Sequence, residues 1–208
     1  MKIDVFEKYF DQYDNWFFKH AKAYQSELKA LQQAKVPGLS IEIGVGTGKF
    51  AEPLGIIYGV EPSENMYKIA QKLNINIIKG QAERLPIKPD VFDWAIMITT
   101  ICFVEAPFKS IKEMYRILKF GGKSSIGIID KDSYLGRKYQ LNKDKSVFYR
   151  DATFFSSMEI ITLLKKAEFK NISALQTLFG DENDIESNIQ LPEYGFGKGS
   201  FVVLSGYK

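Results

Sequence analysis

Three glycines, Gly44, Gly46 and Gly48, alternate with Val45 and Thr47 directly after the apolar run Leu39 to Ile43. A strand that feeds a helix through such a turn presents backbone N–H groups and a helix N-terminus, where a carboxylate or phosphate can be held, and glycine lets ligand and backbone approach closely. The spacing is G-x-G-x-G; the dinucleotide fingerprint G-x-G-x-x-G would place its third glycine at Lys49, which weakens a nicotinamide reading. Glu61 ends the next apolar run, Ile56 to Val60, where a carboxylate can accept hydrogen bonds from both hydroxyls of a ribose. Taken singly, the glycines also suit a tight turn without ligand and Glu61 a solvated strand end. Their joint register favours a ligand.

Other reactive groups are scarce. His20 is the only histidine and Cys102 the only cysteine, so intramolecular disulfides, thiolate zinc clusters and Cys-His or Ser-His catalytic pairs are mostly excluded, and no metal site is expected. His20, in Phe18-Lys19-His20-Ala21, is a candidate proton acceptor, but no partner at a defined spacing supports it and a solvent-facing position is the plainer reading. Tyr13 is the other catalytic candidate. Cys102 is expected to pack as a small apolar residue.

These groups must be positioned by a chain of 208 residues, enough for one domain that buries most of its surface. An apolar fraction of 45% and a charged fraction of 25% are ordinary for a globular protein and argue against disorder. The 28 basic and 25 acidic side chains leave a formal net charge of +3 without dense basic blocks, so no nucleic-acid partner is expected. Met1 to Trp16 has neither a basic leader nor an apolar run, and no stretch is long and apolar enough to span a membrane, so a cytoplasmic location without membrane association is expected.

From Leu39 onward, short runs rich in β-branched residues alternate with helical periodicity, the pattern of βαβ units around a parallel sheet. Strands are expected at Leu39 to Ile43, Ile56 to Val60, Ile75 to Lys79, Phe92 to Thr99, Lys123 to Ile129, Asn171 to Leu178 and Phe201 to Tyr207. Ser63 should cap a helix to Leu73. Phe108, Ile111, Tyr115 and Leu118 share one face of a second helix, which Gly121-Gly122 should end. Ser156 and Glu159 form a capping box for a third, running to about Ala167. Tyr9 to Ala34 reads as a pair of aromatic-rich helices, Lys131 to Phe155 as a long aromatic connection, and Lys138 to Lys145 as a solvated loop. Neither internal repeat nor linker is apparent.

Several motifs in this order resemble the class I S-adenosylmethionine-dependent methyltransferases, particularly the small-molecule, type 11-like branch, over nearly all of Leu39 to Tyr207. Glu42-Ile43-Gly44-Val45-Gly46-Thr47-Gly48 is similar to the family's first motif, in which an acidic residue precedes glycines that hold the methionine moiety of the cofactor. Glu61 resembles the ribose-binding acid, followed by Pro62-Ser63-Glu64-Asn65-Met66, with Met66 placed against adenine. Gly80-Gln81-Ala82-Glu83-Arg84-Leu85-Pro86 is similar to G-D-A-x-x-L-P, which closes over the adenine edge; Gln81 replaces the aspartate and loses a charge-assisted contact, while the Ala82 N–H remains available. Thr99 to Phe103 follows the fourth strand, where the family borders the methyl-transfer site. Glu113 to Gly122 resembles E-x-x-R-x-L-k-P-G-G, with Phe120 in place of proline.

The resemblance implies a Rossmann-like α/β fold with a seven-stranded, mostly parallel sheet in order 3-2-1-4-5-7-6, the last strand antiparallel. It divides one domain into an N-terminal helical cap (1–36), a cofactor-binding core (37–130), an acceptor-site lid (131–155) and the C-terminal part of the sheet (156–208). It implies S-adenosyl-L-methionine as cofactor, S-adenosyl-L-homocysteine as product and a small-molecule methyl acceptor, whose attack needs in-line alignment at about 3 to 3.5 Å more than a protein nucleophile. Tyr13, Phe17, Phe103, Tyr139 and Phe148 are the candidate acceptor-binding residues, since aromatic faces can hold a cationic acceptor near the methyl, although aromatics at helical spacing also fill cores. RNA or protein acceptors and a non-catalytic cofactor-binding domain are the alternatives. Only Lys49 to Gly55 separates the glycine turn from the second strand, so the first crossover helix must be short, which would widen access to the cofactor.

Overall fold

The computed structural model describes residues 4–208. Three helices come first, α1 (Asp4–Lys8), α2 (Phe10–Lys19) and α3 (Ala21–Ala34). Then follow β1 (Ser40–Ile43), α4 (Ala51–Leu54), β2 (Tyr58–Val60), α5 (Glu64–Lys72), β3 (Asn76–Ile78), β4 (Phe92–Ile98), α6 (Pro107–Ile117) and β5 (Leu118–Ile129). The chain continues through α7 (Tyr134–Leu141), α8 (Ser157–Lys166), β6 (Lys170–Thr177), α9 (Glu182–Ser187), β7 (Glu193–Tyr194) and β8 (Phe201–Tyr207). No helix among the described residues is long and apolar enough to cross a membrane.

The strands form one sheet in the order β3-β2-β1-β4-β5-β8-β6-β7. The pairs from β3 through β5 are parallel, while β8 is antiparallel to both β5 and β6. This is the expected order, with one strand more than the seven anticipated. The eighth, β7, is two residues long and pairs antiparallel with the outer edge of β6, too short to show in any apolar periodicity.

Side chains alternate across the strands, so each face of the sheet has its own core. Trp94, Ile96 and Ile98 of β4 pack with Phe17, Leu28, Leu31, Phe50 and Leu54 beneath the N-terminal helices. Ala95 and Met97, with Ile41 and Ile43 of β1, pack with Ile111, Met114, Ile160 and Leu164 from α6 and α8. The capping features hold: Ser63 accepts from the Met66 N–H, and Ser156 with Glu159 forms a reciprocal box at the start of α8.

The pair of helices expected over Tyr9 to Ala34 is α2 and α3, divided at His20, with α1 added before it. Two local expectations are corrected. The second helix stops at Ile117; Leu118 already pairs with Phe92, and the register then jumps so that Trp94 faces Lys123. Gly121-Gly122 therefore lies within β5, where Gly121 takes a φ of 76° that lets the extra residues bulge out of the ladder. Lys138 to Lys145 is not a loop, since α7 runs to Leu141 and a 3₁₀ turn spans Lys143–Lys145. The first crossover helix is short, as expected, and packs under the cap: the rings of Phe17 and Tyr24 edge onto Phe50 at 5.7 and 5.4 Å, and Lys35 Nζ donates to the Leu54 carbonyl.

Candidate active site

The glycine turn leaves β1 with its backbone tied to the next strand, Gly44 N–H and Val45 N–H both donating to the Val60 carbonyl. All three glycines have positive φ: 75° at Gly44, 55° at Gly46 and 86° at Gly48. At Gly44 a Cβ would lie 2.4 Å from Thr100 Cγ2, and at Gly48 2.7 Å from Ile75 Cδ1, so both positions require glycine for packing as well as for backbone. At Gly46 the neighbours are softer, Met66 Cε at 3.3 Å and the Tyr13 hydroxyl at 3.5 Å.

Two carboxyls converge under this turn. Glu61, 4% exposed, accepts hydrogen bonds from Gly46 N–H at 2.9 Å and Ser63 N–H at 3.0 Å. Burial pushes its pKa up to about 7 against the opposing pull of those two N–H groups. Glu42 alternates with Ile41 and Ile43 and so faces the cap side of the sheet. It is 2% exposed, its Oε2 has no hydrogen-bond partner, and burial together with Glu61 holds its carboxyl well above the usual range. A buried carboxyl oxygen without a donor costs roughly 1–3 kcal/mol. A bound ammonium group would remove that cost, so the donor set fits the methionine moiety that the motif implies.

The cap is docked on this turn by polar contacts that motif reading missed. Asp14 of α2 accepts from Thr47 Oγ1 at 2.6 Å and pairs with Lys49 at 3.2 Å. Glu7 of α1 accepts from Ser63 Oγ at 2.6 Å and from the Asn65 N–H at 3.2 Å at the start of α5, and its carbonyl accepts from Asn65 Nδ2. None of these acids belongs to a local motif; their signal is only that they follow aromatic residues at helical spacing.

The segment after β3 is gripped from behind. Glu113 and Arg116, the fixed letters of E-x-x-R, pair with each other at 2.7 Å, and Glu113 accepts the Leu85 N–H while Arg116 donates to the carbonyls of Leu85 and Ile87. Ala82 is buried and Glu83 accepts the Glu105 N–H, but Gln81 is exposed and none of the three lines the cavity beside the turn. Pro62 is half-buried beside Glu61.

Two adjoining cavities open at the carboxyl ends of β1 and β4. The smaller, about 40 Å³, is lined by Gly44, Gly46, Glu61, Met66 and Thr100. The larger, about 140 Å³, is bounded by Phe17, Tyr139 and Phe148 among other aromatics. Phe6, Tyr13, Thr99 and Phe103 line both. Thr99 reaches this position through a φ of 46°, a left-handed backbone that a non-glycine residue rarely adopts. All five aromatic residues expected on the acceptor side thus meet in one chamber, joined there by Phe6, Trp16, Phe50 and Tyr149.

Glu27 also faces that chamber. On α3, Ala23, Ala30, Leu31 and Ala34 form an apolar stripe, and Glu27 stands in the middle of it at four residues from Ala23. A carboxylate on a buried stripe was the available signal, and the motifs passed over it. His20 lies apart from the cofactor-side cavity; it is half-exposed, bonds through Nδ1 to Glu186 at 2.9 Å, and tilts against Trp16. The Cys102 thiol donates to the Thr99 carbonyl, and burial pushes its pKa up to about 12.

Comparison with known proteins gives a consistent set of relatives. A family profile described as a methyltransferase domain matches residues 41–126. An uncharacterized protein of Methanocaldococcus jannaschii is 45% identical over 206 residues, covering 99% of this chain and 100% of its own length. The crystal structure of an S-adenosylmethionine-dependent methyltransferase from Thermotoga maritima, described as a possible histamine N-methyltransferase, superposes with a TM-score of 0.96 at 49% identity, with 99% of each chain covered. A demethylmenaquinone methyltransferase of Bacillus mycoides is 30% identical over 138 residues, 58% of this chain and 58% of its own length.

Proposed function

The chain belongs to the S-adenosylmethionine-dependent methyltransferases, and from that premise we propose that it methylates a small-molecule acceptor enclosed in the aromatic chamber beside the glycine turn. The observation that carries this reading is the shared wall: Tyr13, Thr99 and Phe103 border the glycine-turn cavity on one side and the aromatic chamber on the other. When bound, S-adenosylmethionine supplies an electrophilic methyl carbon on a sulfonium.

The chain's own residues account for holding it. Glu61 offers a carboxylate to the ribose hydroxyls, exchanging its present N–H donors for ligand donors or sharing them. Glu42 offers its unpartnered oxygen to the ammonium of the methionine moiety. Met66 provides an apolar contact on the adenine side. The chamber walls exclude water, which strengthens the attraction between the sulfonium and the aromatic faces and carboxylates around it.

An enclosed chamber of this size favours a small acceptor over an RNA or a protein side chain. The relatives' descriptions offer two acceptor chemistries, an amine and a quinol ring. Transfer of labelled methyl from S-adenosylmethionine is therefore to be measured with histamine and with a demethylated naphthoquinol. Labelled product with either supports the reading, and tight cofactor binding with no transfer to any small acceptor would favour the non-catalytic alternative.

A further inference from the structure

Glu27 is 3% exposed, accepts no hydrogen bond from any described residue, and lines the aromatic chamber. It also lines a second cavity, of about 240 Å³, whose walls include His20, Tyr139, Glu182 and Glu186. Among the described residues lining the two cavities there are three glutamates and no lysine or arginine, in a chain with 28 basic side chains. An anionic ligand would meet three glutamates and no lysine or arginine on these walls, whereas a cation would find the buried Glu27 carboxyl ringed by Trp16, Phe17, Tyr139 and Tyr149.

We propose, building on the methyltransferase reading, that the acceptor is an organic amine that enters as an ammonium ion, and that Glu27 is its counter-ion and takes its proton before methylation. The ammonium pairs with the Glu27 carboxylate and then gives it one N–H proton, leaving a neutral amine with a free lone pair. The lone pair forms the C–N bond to the methyl carbon as the C–S bond breaks, with its electrons remaining on sulfur. The product nitrogen carries the positive charge, and the proton on Glu27 passes to solvent, so charge and atoms balance.

The surroundings suit that exchange. Burial, with a smaller contribution from Glu186 of α9, pushes the Glu27 pKa up to about 8, closer to that of an amine than an ordinary carboxylate is. The other titratable groups facing it are Tyr13 of α2, Tyr24 of α3, Tyr139 of α7 and Tyr149, all with pKa values raised by burial. Beyond the chamber, His20 pairs with Glu186 and Glu182 pairs with Lys138.

The test is calorimetric titration of the protein, saturated with S-adenosylhomocysteine, with 2-phenylethylamine, tyramine and tryptamine, each beside the alcohol of the same shape. At least one amine should bind saturably and its alcohol should not. Glu27→Gln should weaken that amine by about thirtyfold or more, as expected for truncating one partner of a buried charge pair. Glu27→Asp should recover part of the loss, and S-adenosylhomocysteine affinity should stay within about threefold in both variants. Glu27→Gln should also raise the Tm of the ligand-free protein above pH 8, which separates a binding role from a structural one. The proposal is overturned if no amine binds, if alcohols bind as well as amines, or if the Gln variant keeps amine affinity. Absence of S-adenosylhomocysteine binding would instead overturn the cofactor reading beneath it.

Discussion

A side chain at position 46 would have to take a φ of 55° and settle between Met66 Cε and the Tyr13 hydroxyl. Gly46→Val should cost about 1–3 kcal/mol of stability and leave the chain folded, because both neighbours are side-chain atoms able to shift. Cofactor affinity should fall at least about tenfold by calorimetry, since the added methyls stand where the ligand approaches. At Glu27 the expected effect follows from its titration. Below the ordinary carboxylate value of 4.5, folded and unfolded forms are both protonated and the favourable contribution is complete; as pH rises towards about 8 the unfolded form ionises first and that contribution is lost. Denaturation of the ligand-free protein should therefore show stability falling between pH 5 and 8. Glu27→Gln should flatten that slope, gaining a few kcal/mol at pH 8.5. An unchanged slope would contradict the raised pKa.

Among the elements, the clamp of α6 on the loop after β3 has the most definite consequence. Arg116→Ala removes two bonds to carbonyls and releases Glu113, whose carboxylate also holds the Leu85 N–H. A loss of about 1–3 kcal/mol in urea denaturation is expected, with faster amide exchange at Leu85. Docking of the cap gives another: Asp14→Ala breaks the bonds to Thr47 and Lys49 and should speed exchange across α2 while leaving β4 protected. The central elements were readable because β-branched runs, caps and glycine spacing are local signals. The end of α6 was misread because glycines usually stop helices, yet here Gly121 serves a bulge inside β5, a matter of register with β4 that no local pattern records. Glu7, Asp14 and Glu27 were missed because each acts across many residues of sequence, on Ser63, on Thr47 and on a chamber closed by α7.

At the scale of the whole molecule, the parallel half of the sheet ends at the glycine turn, and the N-terminal helices together with the 131–155 segment close over those ends. The carboxyl ends of parallel strands are where open α/β sheets bind ligands, and here that crevice is roofed by aromatics from both segments. Family motifs made the cofactor side legible from Glu42, the glycines and Glu61, whereas the acceptor side was legible only as aromatic content. Its charge became apparent once folding brought Glu27, Glu182 and Glu186 around two adjoining cavities. Calorimetric titration with S-adenosylmethionine and S-adenosylhomocysteine, with NAD as control, tests whether the glycine turn holds the cofactor. Saturable binding of the first two, lost in Glu61→Ala and absent for NAD, is the predicted result; equal binding by wild type and Glu61→Ala, or binding of NAD alone, would contradict it.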